Sequence, residues 1–213
     1  MSDPERLRPL IFVGMSGVGK SHLARLLGTG GYRTFDVDSL IAAELHTLVT
    51  PERGEQPVAA VGRWMGMPWT AGFDAREAQY LALEERVTRR ALDEAVTERL
   101  PTVIDTTGSV VYLPEPIQLR LAAEGCVVYL HTPPEDRARL CEQYLRKPKP
   151  VCWGGLFESR PGETTRSAVE RLYPELLATR DARYAKLAHI RIEGPELHGV
   201  SAEALRARLG VEA

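Results

Sequence analysis

The chain has 213 residues, 44% of them hydrophobic and 26% charged, which suits one soluble domain with a substantial core. A formal net charge of −2 and a pI near 6.2 speak against a protein built to wrap nucleic acid, and no apolar run approaches the roughly 20 residues that span a bilayer. Neither nucleic acid nor a membrane is therefore expected as a partner. Cys126, Cys141 and Cys152 are too few and scattered for a disulfide framework, and no two lie at metal-ligand spacing. The opening "MSDPERLRPLIFVG" lacks a signal-peptide layout, so a reducing cytoplasm is the expected home.

Apolar runs and helical patterns alternate along the chain. "PLIFVGM" reads as a buried strand and Lys20 to Gly28 as a helix with Leu23, Leu26 and Leu27 inward. "YRTFDVD" is a short strand ending in acids, followed by a helix from Ser39 to near Thr47. After a break, a long helix runs from Ala75 to near Leu100, with Glu85 and Arg89 at i, i+4 spacing on a solvated face. The strand "PTVIDTTG", the helix Glu115–Glu124, the strand "CVVYLHTP" and the helix Pro134–Leu145 follow. A helix from Ser167 to near Leu187, the strand "AHIRIEG" and a last helix capped by Ser201 and stopped by Gly210 complete a single domain over 1–213. Strands separated by helices imply right-handed crossovers and a mainly parallel sheet covered on both faces. In that architecture ligands sit at the carboxyl ends of the strands. His131 and His189 fall in strand segments and are assigned core or edge places.

Two segments leave this rhythm. Residues 48–73 are rich in Gly and Pro and carry Trp64, Met65, Met67 and Trp69, while 146–166 combines Arg146, Lys147, Lys149, Arg160 and Arg166 with Trp153. Loops this long inside a compact domain are usually functional or disordered, and their aromatics count against disorder. We read 48–80 as a substrate-binding insertion and 146–166 as a lid, with Trp153 closing over a ligand and "WGG" as its hinge. The Trp and Met side chains of the insertion line a pocket or anchor the loop as a minor core.

Between the first strand and helix stands "GMSGVGKS", which fits G-x-x-x-x-G-K-[ST]. Glycines let the chain curl so that successive N–H groups converge on anionic oxygens, and the helix N-terminus adds its unpaired amides. Gly14, Ser16, Gly17, Val18, Gly19, Lys20, Ser21 and His22 are thus candidates for binding nucleotide phosphate. Lys20 is suited to the outer phosphates, and the Ser21 hydroxyl to Mg²⁺. ATP and Mg²⁺ are the expected cofactors.

Such a nucleotide needs a metal partner and an acceptor. In "TFDVD" period-two alternation points Asp36 and Asp38 to one side, which suits one metal-facing and one acceptor-facing carboxylate. Asp38 alternatively caps the helix that starts near Ser39. Asp105 ends the run "TVI", the layout of an acid that positions Mg²⁺ through water, or else a turn residue; Thr106, Thr107, Gly108 and Ser109 follow it.

The phosphate loop, the Asp36/Asp38 pair and "RDARYAKLA", with Arg180, Tyr184 and Ala188 at four-residue spacing, resemble the shikimate kinases, small P-loop kinases related to nucleoside monophosphate kinases. The resemblance runs from about residue 9 to 193 outside the two long insertions. It implies an α/β three-layer fold with a five-stranded parallel sheet in the order 2-3-1-4-5 and helices on both faces. It further implies Asp36 on Mg²⁺, beside the Ser21 and Asp105 read above, Asp38 on the acceptor hydroxyl, and Arg180 on a carboxylate of the substrate. Three departures alter the acceptor side. Thr106-Thr107-Gly108 stands where the family has three glycines, Leu81 where it has an arginine in F-R-x-x-E, and Lys147-Pro148 where its lid carries Arg-Pro. Arg76, in the first turn of a helix with Asp74 and Glu77 at capping-box spacing, is a candidate replacement for the missing arginine, or a solvated side chain.

The expected activity is transfer of the ATP γ-phosphate to a hydroxyl of a small polar metabolite other than shikimate, by a monomer or homodimer. Lys20, Asp38 and the lid cation Lys147 would act on the chemistry, and Asp38, Arg76, Thr107, Gly108 and Arg180 would hold the acceptor. A nucleoside or nucleoside monophosphate kinase, and a nucleotide-binding sensor without metabolite kinase activity, remain open alternatives.

Overall fold

The computed structural model describes residues 7–193 and 199–210. The first six residues, the end of the predicted last strand at Gly194 and the final three residues lie outside the described residues. Five strands form one parallel sheet in the order β2-β3-β1-β4-β5: β1 Leu10–Gly14, β2 Arg33–Asp36, β3 Thr102–Asp105, β4 Cys126–His131 and β5 Ile190–Glu193. Every neighbouring pair runs parallel, in agreement with the expected architecture and strand order. Alternation explains why the strands read as unbroken apolar runs. Leu10, Phe12, Val103, Val128 and Leu130 face α1 (Lys20–Thr29) and α8 (Ala202–Leu209), while Ile11, Val13, Ile104, Val127 and Tyr129 join the larger core on the other face. That second layer contains α2 (Val37–Glu44), α3 (Pro57–Met65), α4 (Phe73–Ala95), α5 (Glu115–Glu124) and α7 (Thr165–Leu187), with α6 (Pro134–Arg146) against α7.

The register brings chemistry to one edge. Asp36 pairs across to Asp105, Phe12 pairs to Asp105, and Gly14 pairs to Leu130, so the phosphate loop and both acids leave the sheet at its carboxyl end. Gly14 itself admits no side chain: its φ is 148°, and a Cβ there would stand 2.7 Å from the Leu130 carbonyl oxygen.

Several local expectations are corrected. The strand "TFDVD" stops at Asp36, and Val37 and Asp38 already belong to α2. Asp36 is the residue that caps: its Oδ1 accepts the Ser39 N–H at 3.0 Å and its Oδ2 accepts the Ser39 hydroxyl at 2.8 Å. Period-two alternation therefore does not govern the two acids, because a helical turn separates them. The stretch 48–73 is no bare loop; Pro57 at the first helical position starts α3, whose Ala60, Val61 and Met65 are buried. Helix α4 begins at Phe73 after Gly72, whose φ is 78° and which has no side chain to cap the helix, and it ends at Ala95. Trp153 is buried in a ring cluster with Tyr144, Phe157 and Tyr173, so it is a core residue of the second excursion and not a closing lid. Gly154 packs on Tyr112 so closely that a Cβ would meet that ring at 2.6 Å, while nothing lies within 4 Å of the Cβ position of Gly155.

Candidate active site

The loop from Gly14 to Lys20 curls with positive φ at Gly17 (83°) and Gly19 (109°), the freedom that glycine supplies. Lys20 opens α1 and is buried, with Nζ donating to the Gly14 and Met15 carbonyls at 3.0 and 3.1 Å. Burial lowers its pKa, while Asp105 and Asp38 pull it back up. Ser16, Gly17, Ser21 and His22 are exposed, and Val18 and Gly19 are half-buried, so the outer surface of the loop is accessible.

Asp105 is buried at the end of β3, and its Oδ1 has no hydrogen-bond partner. Burial pushes its carboxyl up, against the pull of the Ser21 hydroxyl and of Lys20. A buried acid with an orphaned oxygen beside Ser21 in the first turn of α1 fits a divalent cation held through water. Asp36 is close enough to raise the Asp105 pKa, yet Ser39 engages both of its oxygens. Among the described residues no three His, Cys, Asp or Glu side chains converge as a metal cluster, so a cation here would also need phosphate oxygens.

Two cavities meet at Ser16. One, of about 520 Å³, runs from Ser16 and Gly17 to Tyr144, Arg146, Lys147, Lys149 and Tyr173, so the cations of the second excursion share a cavity with the phosphate loop. Arg160 lines neither cavity; its backbone N–H donates to Glu163. The other cavity, of about 180 Å³, is smaller than the pockets that hold drug-sized ligands. Its polar lining comes from Asp38, Tyr80, Thr107, Ser109 and Arg180, and its apolar lining from Ile41, Val58, Val61, Met65 and Val151. Its floor adjoins the phosphate loop: a Cβ on Gly108 would lie 3.6 Å from the Ser16 amide nitrogen and 3.3 Å from Arg180 Nη1.

Asp38 stands half-exposed in this cavity, and burial pushes its carboxyl up to about 6, with Lys20 pulling down and Asp36 and Asp105 pushing up. Arg180 is buried; Nη2 donates to the Cys152 carbonyl at 2.5 Å and Nε to the Tyr112 hydroxyl at 3.3 Å, leaving Nη1 beside Gly108. Tyr184, one turn on, donates to the Gly108 carbonyl at 2.5 Å. Arg76 is not brought here. Its Nε donates to the Met65 carbonyl and its Nη2 to the Ala71 carbonyl, so it closes the turn between α3 and α4. The reason is local: Gly66 and Gly72 bend the chain around its guanidinium, which lies within 3.3 Å of the Cβ position of each. Of the insertion's Trp and Met residues only Met65 lines the cavity; Trp64 packs on the core, and Trp69 is exposed against Phe157.

Sequence reasoning missed Tyr80 and Glu84, whereas Ser109, which follows Asp105 with Thr106, Thr107 and Gly108, does line the cavity. Glu84 is wholly buried, with Oε1 at 2.5 Å from the Thr107 hydroxyl oxygen and Oε2 at 2.6 Å from the Ser109 hydroxyl oxygen. The available signal was polar residues at Glu77, Tyr80 and Glu84 on the stripe that continues into the buried Val87 and Ala91 of α4. Polar groups on a helix's core face require partners, and partners at a strand's carboxyl edge point to a site.

This arrangement is the shikimate kinase-like P-loop fold. The structure is similar to shikimate kinase from Acinetobacter baumannii in complex with shikimate, with a TM-score of 0.58 and 22% identity over 96% of this chain and 92% of that one. It is likewise similar to shikimate kinase from Bacteroides thetaiotaomicron, with a TM-score of 0.61 and 17% identity over 96% and 99% of the two chains. Shikimate kinase from Aquifex aeolicus aligns with a TM-score of 0.54 and 16% identity over 94% and 93%. No family model matches the sequence, nor does any curated protein. Among the described residues no helix is long and apolar enough to cross a membrane.

Proposed function

We propose that the protein is an ATP-dependent kinase that transfers the γ-phosphate to a hydroxyl of a small metabolite distinct from shikimate. The observation that carries this reading is that Ser16 lines both cavities, one shared by the phosphate loop and the cations of the second excursion, the other holding Asp38. Lys20 and the loop amides hold the phosphate chain, and Ser21 and Asp105 would hold Mg²⁺, which would neutralise phosphate charge. Asp38 orients the acceptor hydroxyl and takes its proton as the phosphoryl group arrives, the usual work of an acid at this place. Lys147, with Arg146 and Lys149 beside it, adds charge to the transferring group. Thr107 and Gly108 form the acceptor's floor, and Arg180 offers Nη1 to it.

The acceptor side supports a ligand with an apolar flank and at most one anionic group. Leu81 packs against the core where the resembling family has an arginine, and Arg180 is the sole cation lining the smaller cavity among the described residues. A nucleoside monophosphate would require several arginines. Arg63, offered by the insertion, is instead paired with Glu55 at 2.8 Å. The test is ³¹P NMR of the protein with Mg-ATP and pooled hydroxyl metabolites, shikimate and the nucleoside monophosphates included. A new phosphomonoester from a neutral or singly charged alcohol is expected. ATP that binds tightly and yields no product across the panel would replace the kinase by a nucleotide sensor.

A further inference from the structure

The acceptor floor contains a group for which the phosphoryl transfer above has no use. Glu84 projects from α4 beneath the smaller cavity, wholly buried, and no lysine or arginine bonds to it among the described residues. Its partners are two hydroxyls, which also touch each other: Thr107 Oγ1 and Ser109 Oγ lie 2.9 Å apart, and the Ser109 N–H donates to Thr107 Oγ1 at 3.0 Å. Three oxygen–oxygen contacts thus close a triangle, Glu84 Oε1 to Thr107, Thr107 to Ser109, and Ser109 to Glu84 Oε2.

Each of the three contacts needs one proton, and a hydroxyl carries one. With a carboxylate, both hydroxyl protons turn to the charge and the Thr107–Ser109 contact is left with lone pair against lone pair. With a carboxylic acid the count closes: the acid donates to one hydroxyl, that hydroxyl to the other, and the second to the remaining carboxyl oxygen. We propose that Glu84 is a positioning residue that works uncharged, its proton completing a hydrogen-bonded ring that fixes the Thr107 and Ser109 hydroxyls in the floor of the acceptor cavity. Both hydroxyl protons then stay inside the ring, so neither side chain donates to the ligand. The importance of that floor rests on the kinase reading; the proton count does not.

The surroundings agree. Facing Glu84 are Lys20 from α1, Asp38 from α2, Tyr80 one turn earlier on α4, the Cys152 thiol, and Arg180 and Tyr184 from α7. Burial dominates and pushes the carboxyl up to about 7, with Asp38 pushing the same way and the two hydroxyls and Arg180 pulling down.

Carboxyl-¹³C NMR of glutamate-labelled protein tests the proposal without any acceptor. The resonance that disappears in Glu84→Gln, an amide that mimics the neutral acid, is expected to titrate near 7, and titration in the ordinary range near 4.5 would overturn the ring. If Glu84→Gln does not fold, Ser109→Ala makes the assignment, because it removes a direct partner of that one carboxyl and so displaces its titration alone. Thermal unfolding gives a second readout. The wild type should lose stability relative to Glu84→Gln as pH rises from about 5 to 8, since the folded protein holds a proton that the unfolded chain releases. A pH-independent difference also overturns the proposal. Inactivity towards every alcohol, with Glu84 still titrating near 7, would sink the kinase reading and leave the ring standing.

Discussion

Glu77 and Trp153 are joined through the backbone: the Oε1 atom of Glu77 accepts the N–H of Trp153 and, at 3.2 Å, that of Gly154. One buried carboxylate on α4 thereby fixes the second excursion at the point where Val151 and Cys152 enter the acceptor cavity. Glu77→Ala leaves two amides without their acceptor, and a loss of about 2 kcal/mol is expected. Urea unfolding measures it, and limited proteolysis should show faster cleavage near residue 153. Wild-type stability in the variant would show that the carboxylate does not anchor the segment.

The ring cluster around Trp153 predicts a core-type response from that residue. Tyr144 and Tyr173 stack with centroids 3.9 Å apart, and Trp153 meets Phe157 edge-on at 5.0 Å. Trp153→Ala should cost about 3–5 kcal/mol, the range for deleting a large buried aromatic. A change below about 1 kcal/mol would return Trp153 to the role of a mobile cover.

Asp38→Asn separates nucleotide binding from transfer. Lys20 keeps its carbonyl contacts and Asp105 its place opposite Ser21, so ATP affinity measured by calorimetry should stay within a few-fold. Product formation should fall by roughly 10²-fold or more with the loss of the acid. Normal turnover would remove Asp38 from the chemistry.

Acid should loosen both excursions at their surface clasps. Glu55, bonded to Arg63, and Glu163, bonded to Arg171, each have a carboxyl held down at about 2 by the arginine. A depressed carboxyl contributes stability above its unfolded value near 4.5 that is lost as pH falls towards 2. Hydrogen exchange in 50–63 and 158–171 should therefore accelerate across that window. Arg63→Ala and Arg171→Ala should each flatten the response in their own segment.

Most elements were legible because hydrophobic period and punctuation agree. The apolar run before "GMSGVGKS", the Ser201 cap and the Gly210 stop recur in the structure, the last with φ of 65°. The helical piece Pro57–Met65 was hidden by its glycines and prolines, although Pro57 marks a helix start. Asp36 and Asp38 were assigned to one strand because spacing alone does not say where extended chain gives way to helix. Arg76 was offered to the acceptor because its distance along the sequence fitted; glycine turns on either side of it decided otherwise.

By itself the sequence determined what depends on neighbours along the chain: the alternation of strands and helices, and a glycine loop with the backbone freedom to turn its amides onto an anion. Strand order came into view through resemblance, since alternation constrains handedness more than neighbourhood. Tertiary structure alone decided which polar side chains share a cavity. Glu84 and Ser109 are 25 residues apart and meet because α4 crosses the carboxyl end of β3. Burial, which sets whether such a group keeps its charge, is a property of the packed chain and of no segment within it.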